Sequence, residues 1–102
     1  MRIIIMYDIS MDNEEKVKKY NTFRKELFRL GYTMIQYSIY SKRLEAHTFY
    51  KKEKEKIISV IPRESNVRIM MLTEKQYQNI ELLNGEKSLN EKYNNRERFI
   101  EI

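Results

Sequence analysis

The apolar positions of the chain change their spacing from one segment to the next, which predicts an alternation of strands and helices. The nearly continuous apolar run at Arg2–Asp8 predicts a first strand. In residues 12–31, by contrast, apolar side chains recur at helical spacing, at Val17, Tyr20, Phe23, Leu27 and Leu30. Asp12 with Glu15 three residues later fits a capping box, and Gly31 supplies a C-terminal stop. Residues 12–31 are therefore predicted to form a helix.

The middle of the chain predicts a second extended segment, a second helix and a further strand. Thr33–Arg43 is rich in β-branched and aromatic residues, and it forms either one long strand or two short strands broken by a bulge near Tyr37–Ser38. A helix is expected from about Glu45 to Ile61, and Pro62 ends it. Asn66–Thr73 is the third clear strand of the prediction.

The end of the chain divides into a short helix and a tail. Residues 74–85 predict one short helix that ends at Gly85, and Arg98–Ile102, "RFIEI", can form a last strand. We therefore predict a domain at residues 1–85 and a C-terminal tail at residues 86–102, whose short strand serves the dimer or docks a partner.

This order of elements predicts an α+β fold. Two strand–helix units that cover one face of a small antiparallel sheet make a ferredoxin-like sandwich. The other face of the sheet also carries aromatic and aliphatic side chains, with Tyr7 and either Tyr37 or Tyr40 among the candidates. A small domain usually covers such a face with a second copy, so we expect a homodimer.

Composition excludes several classes of protein. The chain has 102 residues, enough for one domain with a single core, and no apolar run is long enough for a membrane span. It has no cysteine, which excludes disulfides and thiolate metal sites and predicts a cytoplasmic protein. Gly31 and Gly85 are the only glycines, so no glycine-rich loop can cradle a nucleotide. His47 is the only histidine and is expected to be a surface residue, and the sequence shows neither zinc-ligand spacing nor a Ser/His/Asp arrangement.

The positive charge is concentrated in the globular part of the chain. Residues 1–73 carry 15 basic and 9 acidic residues, whereas residues 74–102 carry 5 basic and 6 acidic residues. A net charge of this sign fits a protein that meets a polyanion, and it also fits a slightly basic surface without such a partner.

Asp8 is the first candidate for chemistry, because it stands at the end of a strand that is otherwise built to be buried. It is either a turn residue, a helix cap or a metal ligand, but Ser10, Asp12 and Asn13 already supply cap candidates. A lone carboxylate cannot cage a metal. A two-fold dimer would bring a second Asp8 near the first, and the pair can hold one Mg²⁺ that polarises a phosphodiester and activates water.

Basic residues form two candidate clusters for nucleic-acid binding. On the predicted first helix a cationic stripe lies opposite the apolar face, at Lys18, Lys25 and Arg29. Arg24 falls inside the apolar sector, where it either contacts a phosphate or pairs with a carboxylate such as Asp8. Lys42 and Arg43 end the extended segment and add the second cluster. Phosphate contacts from these residues would be insensitive to sequence.

Three stretches together resemble a known family. "MYDIS" at the end of the first strand, "FRKELFRLGY" in the first helix and "MIQYSIYSKR" in the extended segment resemble the smaller of the two universal CRISPR adaptation proteins. This is the CRISPR-associated endoribonuclease family that partners the adaptation integrase. The continuation "RIMMLTEKQYQNIELLNGEK" is similar to the branch found in type II systems, and the resemblance covers roughly residues 2–87.

The resemblance implies a ferredoxin-like homodimer whose last strand crosses to the partner protomer. It implies that Asp8 is the Mg²⁺ ligand and catalytic residue of a metal-dependent RNase or DNase. In the adaptation complex, it implies a dimer that bridges two integrase dimers and clamps duplex DNA, with the chemistry done by the integrase. By position, Arg24, Lys25, Lys42 and Arg43 would contact the DNA. The tail would dock the integrase by strand addition, through Arg98, Phe99, Ile100, Glu101 and Ile102.

Three functions remain open from the sequence. The leading one is a spacer-acquisition subunit, a dimeric DNA-bridging scaffold with a weak Mg²⁺-dependent nuclease site at Asp8, because one carboxylate without an adjacent general base is sparse equipment for a nuclease. The second is a stand-alone, toxin-like metal-dependent endoribonuclease of the same fold. The third is a simple RNA-binding module in which Asp8 is structural.

Overall fold

The computed structural model describes residues 1–87, so the predicted strand at Arg98–Ile102 lies outside the described residues. Four strands and three helices form in the described part. Their bounds are β1 Arg2–Asp8, α1 Glu14–Arg29, β2 Thr33–Gln36, β3 Ile39–Arg43, α2 Tyr50–Ile58, β4 Asn66–Leu72 and α3 Glu74–Gln78, with a 3₁₀ turn at His47–Phe49 before α2. No helix within residues 1–87 has the length and apolar character that crossing a membrane requires.

The four strands form one antiparallel sheet in the order β2-β3-β1-β4. In the central strand, Ile5 lies opposite Tyr40 of β3 on one side and Ile69 of β4 on the other. The α+β, ferredoxin-like fold class is therefore confirmed.

The core lies between one face of this sheet and the helices α1 and α2. Side chains of a strand alternate between faces, and Ile3, Ile5 and Tyr7 of β1 belong to the core. Tyr20, Phe23 and Leu27 supply the buried stripe of α1, and Ile57 is the buried apolar residue of α2. Consequently Arg2, Ile4, Met6 and Asp8 lie on the face of the sheet opposite the helices, which we call the outer face.

The caps of α1 differ slightly from the prediction. Asn13, not Asp12, is the N-cap, and its side chain accepts a hydrogen bond of 2.9 Å from the Lys16 backbone N–H. The C-terminal stop at Gly31 is confirmed, with φ +97°. The Gly31 N–H donates to the Phe28 carbonyl at 3.0 Å, and the Tyr32 N–H donates to the Leu27 carbonyl at 2.9 Å. These two carbonyls of the last turn therefore have hydrogen-bond donors.

The extended segment is a hairpin with Tyr37 and Ser38 at its tip. Ser38 adopts the left-handed conformation, with φ 63°, and its carbonyl accepts a hydrogen bond of 3.1 Å from the Tyr7 backbone N–H. The prediction that Tyr7 and Tyr40 lie on the open face is wrong, because both are buried on the helix side. An almost continuous apolar run such as β1 has no clear alternation, and this is why the face was misassigned.

The later helices are shorter than predicted. α2 begins at Tyr50 rather than Glu45, and α3 ends at Gln78 rather than Gly85. α3 packs against the beginning of the outer face: the Arg2 guanidinium lies 4.4 Å from the centre of the Tyr77 ring, and its Nε donates to Glu74 at 2.8 Å. The side chain of Arg2 is therefore buried although it lies on the outer face.

Candidate nucleic-acid interface and the Asp8 site

Asp8 is exposed at the carboxyl end of β1, on the outer face of the sheet. It lies opposite Asn66 of β4 and helps to line a shallow cavity of about 200 Å³. Met6, Tyr7 and Arg68 complete the lining of this cavity. Among residues 1–87, no hydrogen bond or ion pair engages the Asp8 carboxylate, so it neither caps α1 nor pairs with Arg24.

One protomer supplies only part of a metal site. Within the described residues, no group of three or more His, Cys, Asp or Glu side chains is placed to hold a metal ion. The oxygen donors beside the cavity are the Asp8 carboxylate and the Asn66 side-chain amide, which are ligand types that Mg²⁺ accepts. A second copy of the chain would have to bring further donors, so these residues fit half of a site.

Neighbouring tyrosines do not supply a general base for Asp8. Burial raises the pKa of Tyr7 well above its ordinary value, and contacts with Tyr40 and Tyr20 raise it further. Burial likewise raises the pKa of Tyr40. Both hydroxyls therefore stay neutral at physiological pH, and neither can take a proton from an attacking water.

The cationic stripe of α1 is exposed, as the sequence predicts. Lys18 and Lys25 point to solvent and make no ion pair within residues 1–87. Arg29 is also exposed, but its guanidinium lies 2.6 Å from the Glu26 carboxylate. Lys18 and Lys25 therefore carry the free positive charge of this stripe.

Arg24 is exposed and lies beside an aromatic side chain of its own helix. The centre of its guanidinium is 5.6 Å from the centre of the Phe28 ring, one turn further along α1. This contact holds the stem of the side chain against the helix and leaves the guanidinium accessible to a phosphate.

Lys42 and Arg43, the second basic cluster, point to opposite faces of the sheet because side chains alternate along β3. The Lys42 ammonium points to the helix side, where it donates to the Leu30 carbonyl at 2.6 Å and to the Glu53 carboxylate at 2.8 Å. Arg43 points to the outer face and is exposed. A phosphate contact by Lys42 would compete with two acceptors, whereas Arg43 makes no ion pair within residues 1–87.

Two basic residues that the sequence analysis did not predict as site residues lie beside the candidate sites, Arg63 near α1 and Arg68 near Asp8. Arg63 follows α2, and with Lys18 and Lys19 it borders a groove of about 390 Å³ whose floor includes Phe23 and Pro62. Arg68 lies beside Asp8 because β4 pairs with β1. The strand prediction for residues 66–73 placed Arg68 on a strand, but only the register shows its neighbour.

One antiparallel sheet in the order β2-β3-β1-β4, with its core packed against α1 and α2, places the described part of the chain in the ferredoxin-like class of small α+β proteins. Residues 1–80 match the family model of CRISPR associated protein Cas2. The chain belongs to the Cas2 family.

Similar proteins and structures agree with this assignment. The CRISPR-associated endoribonuclease Cas2 of Campylobacter jejuni is 36% identical over 95 residues, which cover 93% of this chain and 66% of that protein. The protein of the same name from Ligilactobacillus salivarius is 36% identical over 100 residues, which cover 98% of each chain. The fold is similar to the crystal structure of Streptococcus pyogenes Cas2, with a TM-score of 0.63 and 16% identity over 82% of this chain and 100% of that one.

Proposed function

We propose that this protein is a subunit of CRISPR spacer acquisition that acts as a dimeric scaffold, binds duplex DNA and bridges the dimers of the adaptation integrase. The observation that carries the proposal is the combination of a free cationic face on α1 with a cavity at which, among the described residues, Asp8 supplies the single carboxylate. The first provides sequence-independent phosphate contacts, and the second is sparse equipment for catalysis.

Duplex DNA would lie along the exposed cations of α1. Lys18 and Lys25 are unpaired within residues 1–87, and Arg24 keeps an accessible guanidinium beside them. Arg29 extends this basic surface toward the end of α1, whereas Arg43 lies on the opposite, outer face of the sheet and would contact DNA apart from it. Contacts of this type position a duplex without reading its bases, which suits a protein that must accept DNA of any sequence.

A second copy of the chain would cover the outer face. Met70 of β4 is exposed there, and Met6 of β1 and its partner Ile39 of β3 are half-buried on the same face. Apolar side chains on an open sheet are a surface that a two-fold partner can bury. The tail residues Arg98–Ile102 would dock the integrase by adding a strand.

The same two-fold arrangement would complete the site at Asp8. Asp8 and Asp8 of the partner subunit would hold Mg²⁺ between the protomers. When bound, such an ion polarises a phosphodiester and activates water. Asn66 lies opposite Asp8 on β4 and would support the pair, and Arg68, which lines the same cavity, would hold the phosphate.

A metal-dependent endoribonuclease is the second candidate function. It is favoured by the names of the relatives and by the Asp8 carboxylate, for which the described residues show no structural role. This candidate predicts RNA cleavage that stops on addition of a chelator and in Asp8→Ala. A third candidate, an RNA-binding module with a structural Asp8, predicts that single strands bind as tightly as duplex.

The scaffold proposal is tested by reversing one charge on α1. Lys25→Glu should weaken the binding of duplex DNA and reduce the slope of log K against log salt by about 1 for each phosphate that the protein no longer neutralises. Titrations at several salt concentrations measure both quantities. Lys75→Glu is the matched control, because it makes the same charge change on α3, away from the proposed surface.

The control variant should bind as the wild type does. Titrations of Lys25→Glu that overlay those of the wild type at every salt concentration would remove α1 from the DNA-binding surface.

A further inference from the structure

A groove lies between the first half of α1 and the segment that follows α2. Its volume of about 390 Å³ falls within the range of roughly 300–1,000 Å³ that is typical of ligand-binding clefts. Residues between 15 and 23 form its wall on α1, and residues between 60 and 63 form the opposite wall. Of the residues that line it, only Lys18 belongs to the surface proposed above for DNA.

The groove contains apolar surface. Val60 and Pro62 line it and are only half-buried, so part of their carbon surface stays open to it. Phe23, a residue of the core, lines it as well. A ligand that places an apolar side chain on these residues removes their carbon from water, which favours binding.

Both walls of the groove are held in place. One wall is the regular helix α1, and hydrogen bonds fix the other. The Val60 N–H donates to the Ile57 carbonyl at 3.0 Å, and the Ser65 hydroxyl donates to the Pro62 carbonyl at 2.6 Å. The ring of Pro62 also restricts its own backbone angle φ. Because the groove is already formed, little conformational entropy is lost when a ligand binds.

Positive charge borders the groove. Three cations line it, Lys18, Lys19 and Arg63, together with the carboxylate of Glu15. The Lys19 ammonium lies 3.6 Å from the Glu15 carboxylate, so these two charges offset each other. Lys18 and Arg63 are exposed and make no ion pair within residues 1–87. These two charges favour a ligand that carries negative charge.

An acidic peptide matches both properties of the groove better than a nucleic acid does. A phosphodiester backbone offers negative charge but no apolar group to cover Val60 and Pro62. A peptide can carry an apolar side chain for this surface and carboxylates for the cations beside it. An apolar centre with a polar rim is the usual arrangement of a protein–protein interface.

We propose that this groove binds an acidic peptide segment of a partner protein. One apolar side chain of the segment packs against Val60 and Pro62, and its carboxylates pair with Lys18 and Arg63. This inference goes beyond the proposed function and does not depend on it. Arg63 and Thr22 line the groove and are not among the residues proposed to contact DNA, so substitutions at these positions separate the two functions.

The test begins with a random peptide library displayed on phage, which is selected against the full chain. The enriched peptides should share a Leu, Ile or Phe residue flanked by Asp or Glu. Fluorescence anisotropy then measures the affinity of a labelled synthetic copy of the most enriched peptide. Arg63→Glu reverses one charge, and Thr22→Trp fills the groove without a change of charge. Each should weaken the binding of the peptide about tenfold or more.

Control variants show whether these losses are specific to the groove. Lys75→Glu makes the same change of charge on α3 and should leave the affinity for the peptide unchanged. Thr22→Ala leaves the groove open and should bind the peptide as the wild type does. Thr22→Trp should keep the affinity of the wild type for duplex DNA, because the charge of α1 is unaltered. Circular dichroism shows that each variant is folded.

Several results would overturn the proposal. Selection that enriches no peptide, or only peptides without acidic residues, would do so, as would a peptide affinity that neither groove substitution changes. Loss of DNA affinity in both groove variants, without an enriched peptide, would assign the groove to nucleic acid instead. The duplex titrations of Lys25→Glu test the scaffold separately, so the failure of one proposal leaves the other standing.

Discussion

The Lys42 ammonium lies 2.8 Å from the Glu53 carboxylate and joins β3 to α2. The same ammonium donates to the Leu30 carbonyl at 2.6 Å, beyond the last turn of α1. Glu53 is buried and also accepts a hydrogen bond of 3.2 Å from the Tyr32 hydroxyl. The Lys42 side chain therefore connects the sheet to both helices that cover it, to α2 through the ion pair and to the end of α1 through the hydrogen bond.

Removal of the carboxylate should destabilise the fold. Glu53→Ala leaves a partly buried ammonium without its counter-charge, and we expect a loss of about 3 kcal/mol in the free energy of unfolding. Urea unfolding measures this value. Glu55→Ala, on the exposed side of the same helix, should change it by less than about 0.5 kcal/mol. Equal effects of the two substitutions would show that the ion pair does not anchor α2.

Tyr32 should give the stability of the protein a pH dependence on the alkaline side. Burial raises its pKa above the ordinary value of 10.0, and the neighbouring Glu53 charge and their hydrogen bond raise it further. A group with a raised pKa in the folded state stabilises fully below its unfolded value, and this contribution is lost as the pH rises toward the folded value. The free energy of unfolding should therefore fall above about pH 10.

Tyr32→Phe isolates this contribution. The variant should lose about 1 kcal/mol at neutral pH, because the Glu53 hydrogen bond is missing. Its stability should then fall less steeply than that of the wild type between neutral and strongly alkaline pH. Parallel curves for the two proteins in urea unfolding would contradict the assignment of the alkaline loss to Tyr32.

Substitution of Gly31 should destabilise the fold, because a Cβ atom disfavours the left-handed backbone conformation of this residue. Its φ of +97° closes the last turn of α1, and an added Cβ would also lie 3.4 Å from the Lys42 side chain. We expect Gly31→Ala to cost about 1–2 kcal/mol and Gly31→Asn to cost less, since Asn tolerates this conformation better. Thermal unfolding of the two variants gives the order, and the reverse order would contradict the backbone explanation.

The existence and bounds of segments with a continuous apolar run or a helical period were predictable from the sequence. β1 has the predicted bounds, and the stripe of Tyr20, Phe23 and Leu27 identified α1 together with its stop at Gly31. The resemblance of the quoted stretches to the CRISPR adaptation family is confirmed by the family match.

Features that depend on distant residues were not predictable. Glu53 lies in a charged stretch that the pattern assigns to solvent, and its burial is explained by its contacts with Lys42 and Tyr32. The faces of Tyr7 and Tyr40 were misassigned because strands without alternation do not show which side is buried. Arg68 and Asp8 become neighbours only through the register of β4.

The tail at residues 97–102 should carry the contact with the integrase or complete the dimer. Deletion of these residues should abolish co-purification with the cognate integrase or convert the dimer to a monomer. Size-exclusion chromatography and co-elution measure the two properties on the same preparation. A truncated protein that stays dimeric and still co-elutes would remove both roles from the tail.

The most direct test of the scaffold is an integration assay with the cognate integrase that compares the wild type with Asp8→Ala. Both proteins are first shown to be folded dimers that bind duplex DNA equally well. The account predicts that the variant supports integration as the wild type does, because the integrase performs the chemistry. Loss of integration while the dimer and DNA binding survive would contradict it and would make Asp8, with its metal, part of the working site.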